Sequence, residues 1–473
     1  MTDARYSNIG KCIRKGYGMD RLLGFIMMAA SSIAMVGCGS SGSDADSGDS
    51  GAGTGIGGGG DSGAGSGGNG AGTGDGAGTG DGAGTGNGAG TGVGGGTGVG
   101  GGTGVGGGGT SSLDTDTGCS GVFNPDQVLE YAITMAPDDY AAILADATFS
   151  LSLPGEFSCN GGAPMQVAIE RKRSGGATKV GLKVELDSTV AGQSFYGLKK
   201  LGFDNGTSSG SNQDDATPRD VIAEYLGWRF MRAAGVMASR SALAKISING
   251  GPAMVYVHVE QVDKRFLQDR LGENGGWLYK KSGGDGDGLK THENDGVENP
   301  HEAWYCFLRK GGCASPDDAT LAEQLPTRAD IPQMHRLGAV NAIIGNTDGL
   351  LYKDNNYYHY DSIDGKRTYI PWDLDTTMSA SVDIIHDSVP GGTTAFTDAF
   401  FSHWEADYRA IVQQILDEKI TASFVQAELN RVLSVAAAAI DADPALADGA
   451  ADAVSTLSAW WQKRLPELQQ QLK

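Results

Sequence analysis

Basic residues are scarce: 36 Lys and Arg stand against 57 Asp and Glu, a formal net charge of −21. A chain this acidic is repelled by phosphate backbones and by anionic headgroups, which excludes nucleic acid as a general partner. A local basic groove for a nucleotide stays open. Proline is also scarce, 14 of 473 residues, and the glycine spacing is not three, so the chain is not collagen. No Cys-x-x-Cys pair occurs, which leaves a zinc ribbon or a thioredoxin-type centre without support. The seven histidines form no H-E-x-x-H, since His301-Glu302 lacks the second histidine, and no G-x-S-x-G elbow is present. Asp285-Gly286-Asp287-Gly288 opens like a calcium loop, but Leu289 takes a ligand position and the closing glutamate is missing.

What is abundant is glycine: 77 residues, about twice the usual ~7% share. Most of the excess lies between Cys38 and Leu113. From Gly70 to Val105 a six-residue unit repeats, with Thr73, Thr79, Thr85, Thr91, Thr97 and Thr103 in register. Such a unit has no apolar face to bury, so residues 39–112 are expected to be a flexible tether spanning roughly 45–50 Å root-mean-square. A calcium-binding β-roll needs a nine-residue unit with regular aspartates, which this is not.

Ahead of the tether, Arg5, Lys11, Arg14, Lys15 and Arg21 precede an apolar run from Leu22 to Val36. The run is too short to span a membrane comfortably and ends in Met35-Val36-Gly37-Cys38. That ending resembles a bacterial lipobox, with Met35 where leucine is commonest; a signal beginning at Met19 would be more typical. The resemblance implies a signal segment over 1–38, lipid on Cys38, and an envelope location with the domain anchored to the membrane. Gly39 is compatible with outer-membrane sorting, the domain then facing the periplasm or the surface. Upstream Cys12 is then removed, leaving Cys119, Cys159, Cys306 and Cys313 in an oxidising compartment. Four cysteines allow three connectivities; Cys119–Cys159 and Cys306–Cys313 close the short loops and are expected.

Residues 113–473 have ordinary globular composition. Val128–Met135 alternates like a strand and Asp138–Ala145 reads as helix; Pro164–Glu170 and Lys179–Leu186 are strand-like around Ser174-Gly175-Gly176. Thr217-Pro218-Arg219-Asp220 is a helix start, followed by a stripe of Val221, Ile222, Tyr225, Leu226, Phe230 and Met231. Ala242–Ile248 and Ala253–Val259 form a hairpin across Asn249-Gly250-Gly251. Another helix follows Pro332, and the end of the chain, from about 402 to 473, is helical by pattern. Strands early and helices late predict an α+β fold of two lobes.

The densest polar stretch runs Asn341 to Gly349, then Asp354-Asn355-Asn356-Tyr357-Tyr358, then Tyr369-Ile370-Pro371-Trp372-Asp373-Leu374-Asp375. Carboxylate and amide oxygens on neighbouring loops are hard ligands suited to Mg²⁺ or Mn²⁺ on a triphosphate, while a further aspartate could take a hydroxyl proton. Asp and Asn also cap turns, so spacing alone leaves both readings open.

The run D-G-x₅-N-N-Y-Y-x-Y followed by I-P-W-D-L-D resembles the signature of the CotH kinase family. Asp220–Gly235, Ile248-Asn249-Gly250 with Tyr256, Glu260–Leu267 and Gly275–Lys280 resemble further family segments in the same order, covering about 128–378. The resemblance implies an atypical protein-kinase-like fold and transfer of the γ-phosphoryl of ATP to Ser or Thr of proteins. It places Asp348 as the catalytic-loop aspartate. Asn356, with Asn355 as the alternative, and Asp373, with Asp375 beside it, take the metal. Glu170–Gly176 followed by Lys179 and Lys183 is similar to the family's phosphate-gripping region but lacks its Arg-Gly-Asn core. Lys179, Lys183 and Lys280 are therefore the candidate phosphate anchors, with Glu260 as a possible partner. Two other functions keep the same residues: a non-catalytic adhesion module, or nucleotidyl or glutamyl transfer.

Overall fold

The computed structural model describes residues 112–175, 179–207, 216–281, 287–292, 296–305, 314, 316–353, 355–385, 395–446 and 448–473. Cys38, the glycine repeat, Cys306, Cys313 and Asp285 lie outside them, as does the side chain of Arg173.

After a short turn of helix, α1 (Ser112–Thr115), strand β1 (Leu129–Thr134) and helix α2 (Pro137–Ala145) lead into four strands: β2 (Ser152–Cys159), β3 (Met165–Gly175), β4 (Val180–Glu185) and β5 (Lys200–Asp204). Helix α3 (Pro218–Ala233) then precedes the hairpin of β6 (Ser241–Ile248) and β7 (Met254–Val259). These seven strands close a barrel in the order β1-β2-β3-β4-β5-β7-β6. Closure comes from β6 running parallel to β1, Leu129 opposite Ala244 and Ile133 opposite Ile248, while β1 pairs antiparallel with β2 on its other edge.

Alternation fills the barrel. Tyr131, Ile133, Phe157, Val167, Ile169, Leu182, Val184, Leu201, Phe203, Ala244, Ile246 and Tyr256 form one buried cluster with Phe195. The intervening residues of β7, Val255, Val257 and Val259, face outward into a second and larger core. That core contains α3, whose start is as the sequence predicts. Thr217 Oγ1 accepts from Asp220 N at 3.1 Å and donates to Asp220 Oδ2 at 2.8 Å.

Beyond α4 (Lys264–Leu271), strands β8 (Trp277–Lys281) and β9 (Asp287–Leu289) open a second sheet. Helices α5 (Glu302–Tyr305), α6 (Asp318–Arg328) and α7 (Ile331–Ile343) follow, then β10 (Tyr357–Asp361) and β11 (Arg367–Pro371), giving a four-stranded sheet ordered β11-β10-β8-β9. Three long helices finish the chain: α8 (Ala395–Glu418), α9 (Ala422–Asp441) and α10 (Ala450–Gln471). No helix among the described residues is long and apolar enough to cross a membrane.

This topology overturns the expected α+β fold of two kinase-like lobes. The first sheet is not an open lobe, because β1 returns to pair with β6 and leaves no free edge. The outer face of the barrel shares one hydrophobic core with the second sheet and the C-terminal helices.

Candidate functional site

Helix α7 delivers the first loop. It ends where Gly345 takes φ +66°, and a Cβ there would lie 2.3 Å from Ala380 O, so only glycine permits this approach. Asn346 then acts as a hub. Its Nδ2 donates to Asn341 Oδ1 at 3.0 Å, and its Oδ1 accepts from Asp348 N at 3.1 Å and Thr376 Oγ1 at 2.8 Å. Asp348 is held on both oxygens. Asn356 Nδ2 (3.0 Å) and Asn355 Nδ2 (3.3 Å) donate to Oδ2, and Lys353 Nζ stands 3.3 Å from Oδ1.

The second loop leaves β11. Asn356 and Asp373 both adopt left-handed backbone, φ 52° and 55°, costly for residues with a Cβ and concentrated where side chains are aimed for a purpose. Trp372 N donates to Asn356 O at 3.1 Å, which sets Asp373 beside the first loop. Asp373 is half-buried, and its carboxyl is raised to about 6 by burial and by the charge of Asp204, while Lys172 and Lys280 oppose the shift. Asp375 is half-buried two residues on.

Two lysines face this carboxylate. Lys280, on β8, stands 4.3 Å from the centre of the Trp372 ring and 5.7 Å from that of Tyr358. Burial and the neighbouring Lys172 charge push its ammonium down to about 8. Lys172, on β3, pairs with Asp204 at the end of β5 and lies 5.3 Å from the Trp372 ring centre. Burial opposes its charge, but Asp204, Glu224 and Asp373 more than compensate, so its ammonium is held above the usual range. Glu224, buried on α3, is driven well above the carboxylate range by burial and by Asp204 and Asp373.

Of the residues nominated from sequence, Asp348 and Asn356 are therefore in hydrogen-bond contact, and Asp373 and Lys280 share one electrostatic cluster with them. Three others are placed elsewhere. Lys179 forms a buried pair with Asp443 at 3.0 Å, and Lys183 stands between Glu170 at 2.8 Å and Glu185 at 2.6 Å. Among the described residues Glu260 pairs with arginines and no lysine: Arg240 and Arg270 each reach it at 2.5 Å and, against the effect of burial, hold it below its ordinary range. Cys119 and Cys159 form the expected disulfide.

Lys172, Asp204 and Glu224 were missed. Lys172 sits in the charge run Arg171-Lys172-Arg173, where nothing distinguishes one cation from its neighbours. Asp204 precedes a Gly/Ser-rich stretch and reads as a turn residue. Glu224 did carry a signal: it is the one charged residue in the otherwise apolar run Val221–Trp228, which α3 buries.

Among the described residues no three His, Cys, Asp or Glu side chains converge as a metal cage. Magnesium does not require one, since it usually binds one or two carboxylates and completes its shell with water and substrate phosphates. Asp373, crowded by Asp204 and Asp348 and only partly offset by Lys172 and Lys280, is a carboxylate that a divalent cation would relieve, and the Asn356 amide would add an oxygen. The donor set fits such an ion.

The fold and site together define a protein built on a closed, mostly antiparallel seven-stranded barrel, with a charge-dense cluster of acidic loop residues and two lysines near aromatic rings. The chain belongs to the CotH kinase family: the family model described as CotH kinase protein matches residues 175–470. The match runs past β11 through almost all of α10, so the C-terminal helices are part of the family domain. No curated protein matches the chain significantly.

Proposed function

We propose that this site transfers the γ-phosphoryl group of ATP to a Ser or Thr hydroxyl of a protein, with Mg²⁺ or Mn²⁺. The observation that carries the reading is the meeting of Asp348 and Asn356 on one loop, Asp373 on the next, and Lys172 of β3 and Lys280 of β8 in one electrostatic cluster. Asp373 and Asn356 would hold the divalent ion, with Asp375 beside them. When bound, the ion neutralises charge on the phosphate oxygens. Lys280 supplies the cationic grip on the phosphates, with Lys172, paired to Asp204, beside it in the same cluster, whereas Lys179 and Lys183 are paired away from it. Asp348 orients the acceptor hydroxyl and takes its proton. The hydroxyl oxygen bonds to the γ-phosphorus as the bond to the bridging oxygen breaks, and ADP leaves.

The test is label transfer from γ-labelled ATP into envelope proteins by the full chain and by Asp348→Asn. Incorporation by the wild type and loss in the variant support phosphotransfer. Incorporation only from α-labelled ATP would mean nucleotidyl transfer. No turnover by a folded wild type would leave the adhesion module as the better account.

We further propose that Cys38 carries lipid and that residues 39–112 tether the domain to the envelope. The charged leader, the short apolar run and the small residues before Cys38 support this.

A further inference from the structure

The two loops that carry the site are fastened by the last helix of the chain. Arg464, Glu467 and Gln471 fall three and four residues apart on α10, and therefore on one face. Arg464 is fully buried, and its Nη2 donates to Ala342 O at 2.7 Å and to Val382 O at 2.5 Å. Ala342 lies six residues before Asp348, and Val382 lies seven after Asp375. One guanidinium therefore joins the root of the first loop to the far end of the second.

The neighbouring contacts continue the seam. Ser381 Oγ donates to Glu467 at 2.9 Å, Ile384 N donates to Gln471 Oε1 at 2.9 Å, and Gln471 Nε2 donates to Asp383 Oδ1 at 3.1 Å. Met378 N donates to Ile344 O at 2.7 Å, which stitches the loops directly to each other. Stability alone gives little reason for a buried arginine here, because a well-packed apolar residue of similar volume is usually as stable or more so. Fixing two carbonyls, one from the last turn of α7 and one from the segment after β11, with one planar fork is what a guanidinium does and an apolar side chain cannot.

We propose that α10 is a positioning element of the site, with Arg464 as its principal positioning residue, setting the spacing between the Asp348 loop and the Asp373 loop. Arg464 touches neither substrate nor metal; it acts through the backbone of both loops. The inference rests on the phosphotransfer reading, since the spacing matters only if both aspartates meet one ligand. Misplacement of reacting groups by about 1 Å can cost on the order of a hundredfold in rate, and ligand affinity responds to the same spacing.

The experiment uses the full chain with Arg464→Lys, and a milder double variant, Ser381→Ala with Gln471→Ala, which removes only the flanking contacts. Three quantities are measured: Mg²⁺–ATP affinity by calorimetry, amide hydrogen exchange of residues 344–353 and 372–378, and melting temperature. Arg464→Lys is expected to weaken affinity by about tenfold. The double variant is expected to weaken it by a smaller factor, with exchange accelerated in both loops. Unchanged affinity in both variants, whatever happens to exchange or melting, reduces α10 to packing and overturns the proposal. If the wild type itself binds no Mg²⁺–ATP, the phosphotransfer reading fails first and this inference falls with it.

Discussion

Asn356 Nδ2 donates to Asp348 Oδ2 at 3.0 Å, and the two residues stand 8 apart in the connection between α7 and β10. This bond holds Asp348 in a fixed orientation and ties it to the strand that leads into the second sheet. From there Trp372 bonds back to Asn356, so one path of hydrogen bonds links Asp348 to the residue before Asp373.

Asp373→Asn separates binding from folding. The wild-type carboxyl is raised in the folded protein, so the folded state holds its proton more tightly than the unfolded chain. That contribution is fully present below about pH 4 and is lost as pH rises through about 6. At pH 7.5 the ionised group is a burden, and the variant should melt at a higher temperature while binding Mg²⁺–ATP far more weakly. A lower melting temperature in thermal scans at that pH would mark Asp373 as structural.

His258 should make the barrel acid-sensitive. It is buried against Phe203 at 4.6 Å and Phe123 at 4.9 Å, and burial, with Arg240 and Lys172 nearby, lowers its ring to about 3. The unfolded chain takes up this proton below about pH 6.5 and the fold resists it, so stability falls as pH drops from there toward 3. Between pH 7 and pH 5 the loss from this group should be about 2 kcal/mol. Urea melts of wild type and His258→Gln at both pH values check it; equal pH slopes in the two proteins would contradict it.

The buried pair of Lys179 and Asp443 is a joint between the barrel and the end of α9. Asp443 also accepts from Val255 N at 2.7 Å and Ala445 N at 2.8 Å. Asp443→Ala strands a buried ammonium and two amides and should cost about 3–5 kcal/mol in denaturant melts. A change below about 1 kcal/mol would mean that the joint relaxes freely.

Reduction of Cys119–Cys159 opens a loop with a sequence separation of 40. By the chain-entropy account the loss is about 4 kcal/mol, visible as a lower melting temperature in the presence of a thiol. Cys119→Ser should reproduce the effect and make the protein insensitive to reductant.

Cys38→Ser should move the protein from membrane to soluble fractions on cell fractionation. Continued membrane retention would remove the lipid anchor from the account.

The local grammar of the chain was readable in advance. The capped start of α3, the Asn249-Gly250 hairpin with φ of 51° and 71°, and the helical C-terminal region all follow from residue pattern. Closure of the barrel was not readable, because it depends on a parallel pairing between β1 and β6, more than a hundred residues apart. Two strands needed for it are also disguised: β2 contains Pro154-Gly155, which reads as a turn, and β5 is five residues with a central glycine. Asp348, Asn356, Asp373 and Asp375 could be nominated because they lie in one stretch of the chain, whereas Asp204 and Glu224 come from β5 and α3. Of the site's cations, Lys280 could be nominated from sequence but Lys172 could not, because it reaches Asp373 only through the tertiary fold, while Lys179 and Lys183 look equally good in one dimension.

The most direct test of the account is calorimetric titration of Mg²⁺–ATP into the full chain, alongside Asp373→Ala. The account predicts saturable, metal-dependent binding by the wild type and its loss in a variant that remains folded by circular dichroism. Absence of binding to a folded wild type, or equal binding by Asp373→Ala, would contradict it.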